Sequence, residues 1–167
     1  ATILAGVGDV ALINTSSPNI YSTGSVGIAG ANVSLNNADV SASGSLVVAA
    51  TGNLDVMNIS SLTGGGNATI GVLGNVTVDN SIISGNPDVV MSVGGVINMN
   101  NGGVIAAAEP TTILLTFPML ASAGYFVNGI EGVVYDPLTF TGFRADGLGA
   151  ILGTNLLVTY GGGTLSP

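Results

Sequence analysis

Apolar and polar positions alternate in short runs along the first two thirds of the chain, and the runs recur. The segment GNVTVDN at 74–80 has counterparts in GDVALIN at 8–14, ANVSLNN at 31–37, GNLDVMN at 52–58 and GVINMNN at 95–101. Successive starts are 23, 21, 22 and 21 residues apart. Within each phrase the third and fifth positions are apolar: Val10 and Leu12, Val33 and Leu35, Leu54 and Val56, Val76 and Val78, Ile97 and Met99. A period of two predicts a strand with one buried face, not a helix.

A second alternating run precedes most phrases, with Val26 and Ile28, Leu46 and Val48, Ala68 and Ile70, Val89 and Met91, then Ile113 and Leu115. A third, shorter one follows at Ile20, Val40, Leu62, Ile83 and either Val104 or Ile105. Three short strands per repeat imply a coil with three faces. Gly24, Gly44, Gly66 and Gly85 punctuate it, and positive φ is expected at these corners. A lone five-residue strand cannot bury its apolar face, but a coil of about 22 residues can stack on the next and share one interior. The predicted fold is therefore all-β: a right-handed parallel β-solenoid of about five coils over residues 1–117. Right-handedness follows the general preference of parallel crossovers. Each coil adds roughly 4.8 Å, so five make a rod on the order of 24 Å long.

Stacking also explains the spacing of the phrase. Equivalent residues lie above one another, so Val76 should meet Leu54 below and Ile97 above. The seventh position is always Asn: Asn14, Asn37, Asn58, Asn80 and Asn101. These predict a structural ladder sealing one corner, each amide bonding to those above and below.

Past residue 117 the phrase stops. Seven of the eight aromatics lie from Phe117 onward, namely Phe117, Tyr125, Phe126, Tyr135, Phe140, Phe143 and Tyr160. Residues 118–167 are read as an irregular β cap, or as a connector that docks on the first coil of another copy. Ile3 and Ala5 are expected to align with Val26 and Ile28, leaving the first coil an open edge with no amino-terminal cap. Covering that edge with the tail of another subunit joins copies head to tail. A heterologous contact that does not close into a ring propagates as a fibre. The candidate inter-subunit contacts are Ile3 and the seven aromatics just named.

Composition narrows the function. Nine carboxylates face one cation, Arg144, for a formal charge of −8, with no Lys, His or Cys. Nucleic acids and anionic membranes are poor partners for such a chain, because their binding rests on Lys and Arg. No apolar run reaches the 18 or so residues of a membrane helix; the best, at 113–126, contains Pro118. The start at Ala1, with neither Met nor leader, suggests a processed product or an excised piece, and either fits export.

The cadence of GANVSLNNADVSASGSLVVAATGNLDV, with its Gly-x-Val-x-Leu and Ala-x-Val-x-Ala-x-Gly units, resembles the repeats of filamentous-haemagglutinin-like exoproteins of bacterial two-partner secretion, over about residues 1–117. The resemblance implies a right-handed parallel β-helix with an extracellular, non-catalytic role. The chain would be a small relative that builds length by assembly, or a stalk fragment of a large secreted adhesin. The Asn-Pro motifs of that family's secretion domain have no good counterpart here.

Enzymes also use parallel β-helices, with paired carboxylates or a base beside a cation. Asp9, Asp55 and Asp79 hold the second, fourth and sixth phrase positions, so they do not stack into a pair. No catalytic site, cofactor or metal is expected. Asn-x-Ser/Thr occurs at Asn14, Asn32, Asn58, Asn67 and Asn75, and Asn32, Asn67 and Asn75 are the glycan candidates because they fall outside the ladder. A rival reading is a carbohydrate-binding module, stacking Tyr125, Phe126, Tyr135, Phe140 and Phe143 on host or environmental sugars. The favoured reading is a structural subunit of an extracellular fibre or cell-surface adhesin, with itself as partner.

Overall fold

The computed structural model describes residues 1–13, 20–95 and 97–107 in full, together with the backbone of seven strands between 112 and 165. The described residues form strands and turns and no helix. The first coil is β1 (Thr2–Leu4), β2 (Val10–Ile13) and β3 (Ile20–Ser22), and the second is β4 (Val26–Gly30), β5 (Val33–Asn36) and β6 (Asp39–Ala42). The third is β7 (Leu46–Ala50), β8 (Leu54–Met57) and β9 (Ser61–Gly64); the fourth is β10 (Ala68–Val72), β11 (Val76–Asp79) and β12 (Ile82–Gly85). The fifth is β13 (Val89–Val93), β14 (Ile97–Asn100) and β15 (Val104–Ala107).

First, second and third strands of successive coils pair in parallel, building three sheets that we call A, B and C. Val26, Leu46, Ala68, Val89 and Ile113 form one vertical column in sheet A. Val10, Val33, Leu54, Val76 and Ile97 do so in sheet B, so Val76 lies between Leu54 and Ile97 as the spacing requires. In sheet C the column is Ile20, Val40, Leu62, Ile83 and Ile105, which settles the fifth coil on Ile105. The described side chains of these columns point inward, and those beyond the first coil are fully buried. Each buried Val, Leu or Ile contributes roughly 1.5–3 kcal/mol by leaving water.

Two expectations are corrected. Ile3 pairs with Ile28 rather than Val26. Ile3 precedes Val10 by seven residues, whereas Ile28 precedes Val33 by five; the two extra residues enlarge the first corner around Gly6, at φ 59°, and the fully exposed Val7. A shift of two preserves the inward face, which is why the alternation alone could not exclude it. The corner glycines also differ, since none of Gly24, Gly44, Gly66 or Gly85 has positive φ. Gly44, Gly66 and Gly85 are small because coils touch there. Gly44 N–H donates to Gly24 O (3.0 Å) and Gly66 N–H to Gly44 O (2.9 Å), and a Cβ on Gly66 would come within 3.1 Å of the Gly44 carbonyl carbon.

The sheets continue past residue 117. Strand β16 (Thr112–Phe117) pairs with β13, and beyond it come β17 (Phe126–Asn128), β18 (Val133–Tyr135), β19 (Phe143–Ala145), β20 (Ala150–Leu152), β21 (Asn155–Tyr160) and β22 (Gly163–Leu165). Strands β19, β20 and β21 add in parallel to β14, β15 and β16. Antiparallel β18 and β22 are the outermost strands of sheets C and A at this end. The aromatic section therefore shares its sheets with the coils before it.

Candidate functional site

Strands β1, β2 and β3 are the outermost strands of the three sheets at the amino-terminal end. Each is paired on one side only, so the backbone groups facing outward form an edge able to pair with another strand. Side chains mark the same end. Seven large apolar residues stand well exposed among the described residues, and four of them are here: Leu4 (72%), Val7 (99%), Ile13 (72%) and Tyr21 (73%). Ile3, Ala5, Leu12 and Ile20, whose equivalents in later coils are buried, are only partly covered. The cause is stacking: an inward residue is closed over by the coils above and below, and the first coil has a neighbour on one side.

The repeated Asn occupies a special backbone position. Asn37, Asn58, Asn80 and Asn101 have φ of 51°, 58°, 46° and 50°, the left-handed region that Asn tolerates better than other side-chain-bearing residues. This corner joins sheet B to sheet C. Asn58 Nδ2 donates to Asn36 Oδ1 and Asn101 Nδ2 to Asp79 Oδ1, each at 2.8 Å. Both bonds reach the sixth phrase position of the coil below, so these two run diagonally and not between seventh-position amides. Asn14 lies outside the described residues.

A vertical ladder exists at the second phrase position. The backbone N–H of Asn32 donates to Asp9 Oδ1 (3.0 Å), that of Asn53 to Asn32 Oδ1 (2.8 Å) and that of Asn75 to Asn53 Oδ1 (2.9 Å). It also accounts for the glycine that opens the last three phrases. A Cβ on Gly52, Gly74 or Gly95 would collide with Oδ1 of Asn32, Asn53 or Asn75. The repeated Gly-Asn at 52–53 and 74–75 was the available signal. Asn32 Nδ2 also donates to Asp9 Oδ1 (2.9 Å), a bond that a glycan there would disturb. Asn67 is exposed, and its carbonyl accepts from Leu46 N–H.

A buried serine pair completes the corner. Ser60 Oγ accepts from Ala38 N–H and Ser81 Oγ from Ser60 N–H, each at 3.0 Å, while the hydroxyls donate to the carbonyls of Met57 and Asp79. The sequence Asn58-Ile59-Ser60, which reads as a glycosylation signal, is thus a turn whose serine faces inward. Ile59 is itself left-handed, at φ 62°, because this turn has one residue more than its neighbour at Asn80-Ser81.

Among the tail aromatics, register is defined for five. Phe143 takes the column position above Ile97, Phe117 lies opposite Tyr160, and Phe126 opposite Tyr135. Tyr125 and Phe140 lie outside the described residues. Arg144 pairs in register with Asn98. Asp55 lies between Ser34 and Thr77, and Asp79 between Met57 and Asn100, so neither faces another carboxylate across a strand pair. Among the described residues no cluster of three or more acidic, His or Cys side chains is placed to hold a metal, and no helix is long and apolar enough to cross a membrane. An open groove of about 380 Å³ runs along the corner beside Asp39, Ile59, Asn80 and Val104. No family model, curated protein or solved structure matches the chain.

Proposed function

We propose that this β-solenoid is a non-catalytic structural subunit of an extracellular fibre or cell-surface adhesin, joining copies head to tail through its coil ends. The observation that carries the reading is the first coil: three one-sided strands in a common orientation, ringed by Leu4, Val7, Ile13 and Tyr21. Exposed edges of this kind recruit further strands, and natural proteins normally charge or cover them. Here no charged residue lies on β1, β2 or β3. The strands that end the sheets at the other extreme, β18, β19 and β22, are the partners proposed for this edge. The single cation and lack of Lys suit exposure to trypsin-like proteases, since Arg144 is the one nominal site.

Negative-stain micrographs of the purified chain test the reading. Filaments are expected, and deletion of residues 118–167 should abolish them while leaving a β-rich particle. Filaments that persist unchanged in the deletion would overturn the head-to-tail contact through the tail.

A further inference from the structure

The three outer faces differ in charge. Sheet B presents Asp55 and Asp79 outward, with Arg144 in register with Asn98 at its end, and sheet C presents Asp39. Sheet A has seven parallel strands; over the first five, one outward column runs Thr2, Gly27, Val47, Thr69, Val90, and Leu114 and Leu157 follow it in register. The other runs Leu4, Ala29, Ala49, Gly71, Ser92, and Thr116 and Thr159 follow it in register. Neither contains a charge. Asp9 and Asp88 stand at the corners flanking this face.

Two glycines on it lack an internal reason. Gly27 and Gly71 sit mid-strand with ordinary φ, and a Cβ at either would meet nothing within 4 Å. Glycine within a strand weakens it by roughly 0.5–1 kcal/mol and commonly marks the close approach of another backbone. No part of the described chain approaches here. Apolar Val47 is 46% exposed between them.

We propose that the outer face of sheet A is a lateral contact between two copies of this chain, packed face to face about a two-fold axis. Charge distribution selects a second copy as the occupant. A chain of formal charge −8 repels itself, and this face brings two copies together with their sheet carboxylates turned away. The area suffices for a weak dimer. Seven strands roughly 4.8 Å apart and about five residues long give a face on the order of 34 by 17 Å, or roughly 1,100 Å² over both copies. Specific interfaces need about 1,000 Å² or more. An isologous face closes at two copies, so this contact sets the width of a fibre and not its length. It goes beyond the head-to-tail reading and does not depend on it.

Sedimentation velocity across a concentration series tests the contact with two variants. Gly71→Val adds a β-branched side chain where the fold has room, so thermal stability should hold or rise while the dimer weakens by about tenfold. Ala49→Glu with Gly71→Glu should abolish the dimer, whereas Ser41→Glu with Ser84→Glu on sheet C, of equal added charge, should leave it. In micrographs the sheet A variants should give filaments of single width and undiminished length. If the fibre reading itself fails, the sedimentation series still reads the dimer. Dimerisation unchanged by both sheet A variants, or lost equally in the sheet C control, would overturn the proposal, as would a wild-type chain that stays monomeric.

Discussion

The first and third coils carry the same phrase and differ in what it achieves. In the third coil, Leu54, Val56 and Leu62 are fully buried. In the first, Leu12 and Ile20 hold the same columns yet remain partly exposed, and Ile13 and Tyr21 point largely into solvent. The phrase therefore encodes a strand and a face but no core. Burial comes from the neighbouring coil, as in any stack whose units interact only with those adjacent.

The sharpest way to break the comparison is to remove the same atoms in both coils. Leu54→Ala should cost about 3 kcal/mol in urea unfolding, whereas Leu12→Ala should cost about 1, because a half-open site collapses onto water rather than leaving a cavity. Equal losses would mean that the first coil is covered in solution. Next in size is Ser60→Ala, which strips Ala38 N–H and Ser60's own turn of a buried partner; about 2 kcal/mol is expected. Asn53→Ala, interrupting the ladder between Asn32 and Asn75, should cost about 1 kcal/mol, and Asn53→Asp much less because an acceptor oxygen remains. The smallest effect runs the other way. Ile59→Asn places a tolerant residue at φ 62° and should stabilise by a few tenths to about 1 kcal/mol, which a thermal melt would detect; destabilisation would mean that the exposed isoleucine is held by a contact.

Some features were readable because they are local. Alternation at Val76 and Val78 fixes a strand face, and a 21–23-residue return fixes which residues stack, since one circuit of coil must bring equivalent positions into register. The repeated Asn stands at a corner wherever it is described, at Asn37, Asn58, Asn80 and Asn101. Its cause was not readable: an amide that bonds its neighbours and a residue that accepts left-handed φ leave the same letter.

What the sequence determined by itself is periodicity: strand, inward face, coil length and the five-fold stack, all consequences of chain geometry that each repeat restates. Tertiary structure decided the rest. The two-residue shift of Ile3 onto Ile28 depends on how much chain the Gly6 corner absorbs, which alternation cannot measure. The Gly-Asn ladder depends on an oxygen of one coil meeting the backbone of the next. The addition of β19, β20 and β21 to the same three sheets depends on pairings across gaps of 46, 46 and 43 residues, such as Ile97 with Phe143, Val104 with Ala150 and Thr112 with Asn155. Those partners share no phrase, and the backbone edge groups that pair them are carried by every sequence alike.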